Sequence, residues 1–139
     1  MSAPHLPADL PRPPRAVAVL PLDVDLGQVG GHRLLLRSLE VWDGWADLRF
    51  ARTDEGAPRP LPRRVPPAGA WTVTADGASL EVLDAVGRGD REFSNGEVRL
   101  RPAPSPGARV HVAVELLTGS PPLEGEFVLP RSDAGAGGS

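Results

Sequence analysis

The chain has no cysteine, lysine, isoleucine or tyrosine, and its 139 residues hold only three tryptophans and three phenylalanines. Without cysteine there is neither a disulfide framework nor a thiolate metal site, so folding does not depend on the redox compartment, and a reducing, cytoplasmic setting suits it. Without lysine, all 15 basic residues are arginine. That composition points to GC-rich, actinobacterial coding. Arginine then stands wherever another genome would place lysine, although the guanidinium remains better at forked and stacked contacts. A basic stripe is missing too: the formal charge is −3, which argues against nucleic acid as a partner. The longest apolar run, Ala16 to Leu22, falls far short of the roughly 20 residues that span a bilayer. Residues 1–15 carry Pro4, Pro7, Pro11, Pro13 and Pro14 with no long apolar core, unlike a secretory leader.

What is present is alternation. The length fits one domain able to bury a core of its own. Between a proline-rich extended arm (residues 1–15) and a flexible Gly/Ala tail (residues 131–139), residues 16–130 read as an all-β domain. Val17, Val19, Leu22, Val24 and Leu26 predict a first strand bent at Pro21, and Gly30-Gly31 permits a turn. Trp42-Asp43-Gly44-Trp45 is the clearest local signal, because Asp-Gly is the favoured centre of a two-residue type I′ hairpin. Facing Trp42 with Trp45 sets Val41 opposite Ala46, Leu39 opposite Leu48 and Arg37 opposite Phe50. Leu35, Leu39, Val41, Ala46, Leu48 and Phe50 then line the core face, and Glu40, Trp42, Trp45, Asp47 and Arg49 the other. Two conflicts follow: Arg37 falls on the apolar face and Glu40 opposes Asp47. A bulge near Arg37 and Ser38, or bonding to Arg49, would relieve them.

Further strands are expected over Trp71 to Ala75, Ser79 to Val86, the stretch holding Val98 and Leu100, Val110 to Leu116, and Glu124 to Leu129. Asp76-Gly77 and Asn95-Gly96 read as turns between them. No 3.6-residue apolar stripe competes. About eight short strands predict an antiparallel two-sheet sandwich, with a small closed barrel as the nearest alternative. Trp71-Thr72-Val73-Thr74-Ala75-Asp76-Gly77, Phe93, and Arg101-Pro102-Ala103-Pro104 leading into a valine-rich strand resemble uncharacterised actinobacterial immunoglobulin-like sandwich proteins. The resemblance implies architecture and carries no active site.

The search for chemistry returns little. His5, His32 and His111 lie in unrelated contexts; His111 reads as a surface residue, and His32, at the start of a strand, reads as equally devoid of a chemical role. Gly77-Ala78-Ser79-Leu80-Glu81 lacks the last glycine of a nucleophile elbow, and Gly87-Arg88-Gly89-Asp90-Arg91-Glu92 lacks the helix that cradles phosphate, so both read as turns. Asp23-Val24-Asp25 does not close round a cation. Arg88-Gly89-Asp90 reads as a charged turn, and Pro11-Arg12-Pro13-Pro14 as a stiff leader. Catalytic, metal and cofactor sites are therefore expected to be none. The candidate binding residues are Trp42 and Trp45 at the hairpin tip, with Arg59, Arg63 and Arg64 in the long Pro/Arg loop 53–70, which could meet an acidic partner. The expected function is a non-catalytic module that binds another protein. A carbohydrate-binding module using Trp42 and Trp45, and an enzyme with dispersed carboxylates, are the alternatives.

Overall fold

In the computed structural model, which describes residues 18–56, 58–61, 65–89 and 93–131, the alternation becomes eight strands. They are β1 (Ala18–Val29), β2 (His32–Val41), β3 (Ala46–Asp54), β4 (Trp71–Ala75), β5 (Ala78–Gly89), β6 (Phe93–Arg101), β7 (Arg109–Val114) and β8 (Leu123–Val128). All pair antiparallel in one series, β1-β2-β3-β6-β5-β4-β7-β8. β5 is the joint. Ala78 to Leu80 pair with β4, whereas Glu81 to Gly89 pair with β6. The series curls until β1 and β8 lie against each other, nearly closing a barrel. The all-β expectation holds, and the strands expected in two sheets run here as one. The expected arm 1–15 and nearly all of the tail 131–139 lie outside the described residues.

The core follows from the alternation. Leu34, Leu36, Leu39, Leu48, Phe50, Val98, Leu100, Val110, Val112 and Val114 are buried, and Phe50 meets Trp71 with ring centroids 4.9 Å apart. Burying one such aliphatic side chain stabilises the fold by about 1.5–3 kcal/mol. Arg37 escapes this interior through a register shift between Leu36 and Ser38, which sets Leu36 opposite Phe50. The bulge also reverses the phase of β2 below it: Leu34 and Leu36 point inward, while Leu35, expected in the core, is half-buried. Above the bulge the expected pairs Val41 with Ala46, Leu39 with Leu48 and Glu40 with Asp47 are present.

Three turn expectations need correction. Asn95-Gly96 is no turn but the middle of β6, and Gly87 to Gly89 end β5, while Asp90, Arg91 and Glu92 of the other expected turn lie outside the described residues. A Cβ on Gly96 would stand 2.4 Å from Phe50 Cζ, and one on Gly87 would stand 2.5 Å from Val65 Cγ2. Close approach, not chain reversal, selects glycine at both positions. At the tip, only Gly44 is left-handed (φ 92°) and Asp43 is not, the pattern of a type II turn rather than type I′. Asp76 (φ 50°) with Gly77 (φ 84°) has the two left-handed residues that type I′ demands. The long loop starts later than expected, because Thr53 and Asp54 extend β3 by pairing with Arg33 and His32.

Candidate functional site

The two ends of the β2–β3 hairpin carry different polar assemblies. At the tip, the Trp42 N–H donates to the Trp45 carbonyl at 2.8 Å, and the indoles stack with centroids 5.6 Å apart and planes 8° from parallel. Both are half-buried, and both indole nitrogens are sealed from solvent with no hydrogen-bond partner. Arg99, brought alongside by the pairing of β6 with β3, has its Cζ 5.5 Å from the Trp45 ring centroid. The same guanidinium donates to both oxygens of Asp47, at 2.9 and 3.2 Å. Its hydrogen bond to Asp47 raises the Arg99 pKa against the opposing effect of burial, and the forked contact with that carboxylate holds the cation beside the Trp45 ring.

Asp47 is only 3% exposed although it faces away from the core. Its carboxylate lies with those of Glu40 and Glu97 in a cluster whose nearest oxygens are within 4.8 Å of one another. Arg49 answers Glu40 at 3.3 Å and Glu97 at 3.8 Å, and Arg99 answers Asp47. The repulsion expected between Glu40 and Asp47 is therefore met by cations, Arg49 among them as expected.

At the other end, the register places His32 directly opposite Asp54, with their side chains only 4% and 7% exposed. His32 Nδ1 meets Asp54 Oδ1 at 2.6 Å, Arg52 Nη1 donates to the same oxygen, and Arg52 Nε donates to Ser94 Oγ at 3.2 Å. Burial alone pushes the Asp54 carboxyl up, but the hydrogen bonds and charges of Arg52 and His32 outweigh it and hold the carboxyl below its ordinary value. His32 Nε2 meets the Arg59 carbonyl, which can only accept, so Nε2 carries a proton. His32 starts β2 as expected and is a buried anchor there. His111 fits the expectation of a surface residue, half-exposed and 2.9 Å from Glu124.

This arrangement contains histidine, aspartate and serine without forming a nucleophile–base pair. Nε2 is occupied by the Arg59 carbonyl, and Ser94 is held by Arg52. What it does is seat the loop. Glu55 and Arg59 donate their backbone N–H groups to Gly31 and Gly30 at 2.7 and 2.8 Å. The bare Gly30-Gly31 turn admits that contact, since a Cβ on Gly31 would stand 2.8 Å from Pro58 Cα. Farther along, Trp71 Nε1 donates to the Pro66 carbonyl at 3.3 Å.

Of the expected binding residues, Trp42 and Trp45 come together, while Arg59 lies at the opposite end of the hairpin with an exposed side chain. Arg63 and Arg64 lie outside the described residues. Sequence reasoning missed Arg99, Asp47 and the His32 cluster. Extending the hairpin register through the bulge would have brought His32 opposite Asp54. Arg99 required knowing that β6 pairs with β3. No protein-family model matches the chain, and no curated protein matches it. Among the described residues no helix is long and apolar enough to cross a membrane.

Proposed function

We propose that the chain is a non-catalytic binding module whose partner is another protein, engaged through the sheet face that carries Trp42, Trp45 and Arg99. The observation that carries this reading is the state of the tip: two half-buried, stacked indoles, a guanidinium fixed beside them, and two indole N–H groups without partners. An unpaired buried donor costs about 1–3 kcal/mol, a cost that a purely structural hairpin has no reason to carry twice. Tryptophan and arginine are also the residues most enriched at interface hot spots. Carbohydrate binding is less well supported, because the indoles face each other and Arg99 lies over Trp45, leaving less ring face for a sugar. The immunoglobulin-like resemblance belongs to this reading as architecture and supplies no residue to it.

The test is partner identification by cross-linking and mass spectrometry in the native source, followed by affinity measurement with Trp45→Ala. Binding corrected for the folded fraction should weaken by about tenfold or more, the loss expected of a hot-spot aromatic. Unchanged partner affinity in the folded variant would refute the reading. Glycan binding that disappears with the same substitution would replace it with the carbohydrate one.

A further inference from the structure

Beside the tip, the outer face of β3, β6 and β5 is hollow. Two adjoining hollows of about 450 and 390 Å³ share Arg49, Asn95 and Gly96; Arg88 lines the first and Arg37 the second. The arrangement follows from details of the fold. The β2 bulge expels Arg37 from the core side, and the register of β6 with β5 puts Arg88 opposite Asn95. Arg37 and Arg88 are exposed and make no ion pair among the described residues. Glu97 is the carboxylate of the lining, and Arg49 already holds it at 3.8 Å. Among the described residues, a cleft with two guanidinium groups outside any ion pair, Arg37 and Arg88, therefore lies on a chain whose formal charge is −3.

We propose that this cleft binds an acidic peptide segment of a protein partner, with carboxylates reaching Arg37 and Arg88 on either side of Arg49 and the Asn95 amide supplying a neutral donor. Guanidinium groups present forked donors that match carboxylate oxygens. Val86, 47% exposed at the rim, offers an apolar contact to such a peptide. Single-stranded nucleic acid fits less well, because the lining has no exposed aromatic ring on which a base could stack. The proposal shares with the function proposed above the premise of a protein partner, but it uses none of the tip residues.

The experiment is fluorescence anisotropy of a labelled eight-residue oligoglutamate with the full chain, at low and at physiological ionic strength. Binding should saturate, weaken with salt, and weaken by about tenfold or more in the double variant R37E/R88E. Both side chains are exposed, so thermal denaturation should show the variant folded. Trp45→Ala should leave oligoglutamate affinity unchanged, so failure at the tip and failure at the cleft are read separately. Equal binding by R37E/R88E, no binding at low salt, or tighter binding of an oligodeoxythymidine that displaces the peptide would each overturn the proposal.

Discussion

The two ends of one hairpin teach opposite uses of polar side chains. At the His32 end, the polar side chains are enclosed and partnered: His32, Arg52, Asp54 and Ser94 bond to one another, and His32 to the Arg59 carbonyl. At the Trp42 end, the groups other than Asp47 are half-buried or exposed, and two indole donors lack partners. Buried charge is tolerated where every partner is in place, because removing one leaves an uncompensated ion. At the tip the indole nitrogens are sealed, and the part left accessible is the half-exposed surface of the rings themselves. The first arrangement holds a loop to the barrel, and the second is the face on which the proposed binding rests.

The largest effect should come from breaking the closed end. Asp54→Asn removes the carboxylate between His32 and Arg52 and should destabilise the fold by on the order of 3 kcal/mol, measured as the loss in urea unfolding free energy at neutral pH. The pH dependence sharpens the point. The Asp54 carboxyl is held below its ordinary value in the folded state, so its contribution is complete above the unfolded carboxylate range and is lost as pH falls through the lower, folded value. The gap between wild type and Asp54→Asn should therefore narrow steadily below about pH 4. A gap that stays constant down to pH 2 would mean that the loop is held by something other than this carboxylate.

The next effect lies between the two ends. Gly96→Ala would force a Cβ within 2.4 Å of Phe50 Cζ and 2.6 Å of the Val86 carbonyl oxygen, and such overpacking should cost about 1–3 kcal/mol in thermal or denaturant melts. A neutral result would mean that Phe50 yields easily and that the glycine serves another need. The smallest effect belongs to the open end. Glu40→Gln gives up one ion pair with Arg49 but also relieves repulsion from Asp47 and Glu97, so stability should change by less than about 0.5 kcal/mol. A loss above about 1 kcal/mol would make the acidic cluster structural and weaken the contrast between the two ends.

The contrast was half legible in the sequence. The tip could be read because its information is local: an Asp-Gly turn between two tryptophans, with alternation on both sides, fixes five residues of register. Even there the turn type was missed, since Asp43-Gly44 and Asp76-Gly77 share a dipeptide but differ in backbone hand. The closed end depends on His32 meeting Asp54, 22 residues away, across a bulge that shifts the count by one. Alternation cannot place such a shift, and Arg37 on the apolar face was its only mark. Asn95-Gly96 misled for a related reason, because glycine serves both reversal and close approach, and only the Phe50 ring decides between them. The partnership of Arg99 with Asp47 spans 52 residues and follows from strand order, which no local pattern reports.

The seam between β1 and β8 has a consequence for how copies of the chain meet. These end strands pack through side chains, with Leu26 seated over Gly125 and Leu123 near Gly27, and they do not share a ladder. Among the described residues each therefore keeps one row of peptide groups not engaged by another strand, the feature that lets proteins template stacked aggregates. The outer row of β1 is interrupted, because Pro21 offers no donor and the strand slips register between Pro21 and Val24 and again between Asp25 and Gly27. A second copy arriving edge-on would meet an irregular series of donors and acceptors. The same kinks that let β1 wrap towards β8 thus deny a growing fibril its flat first rung.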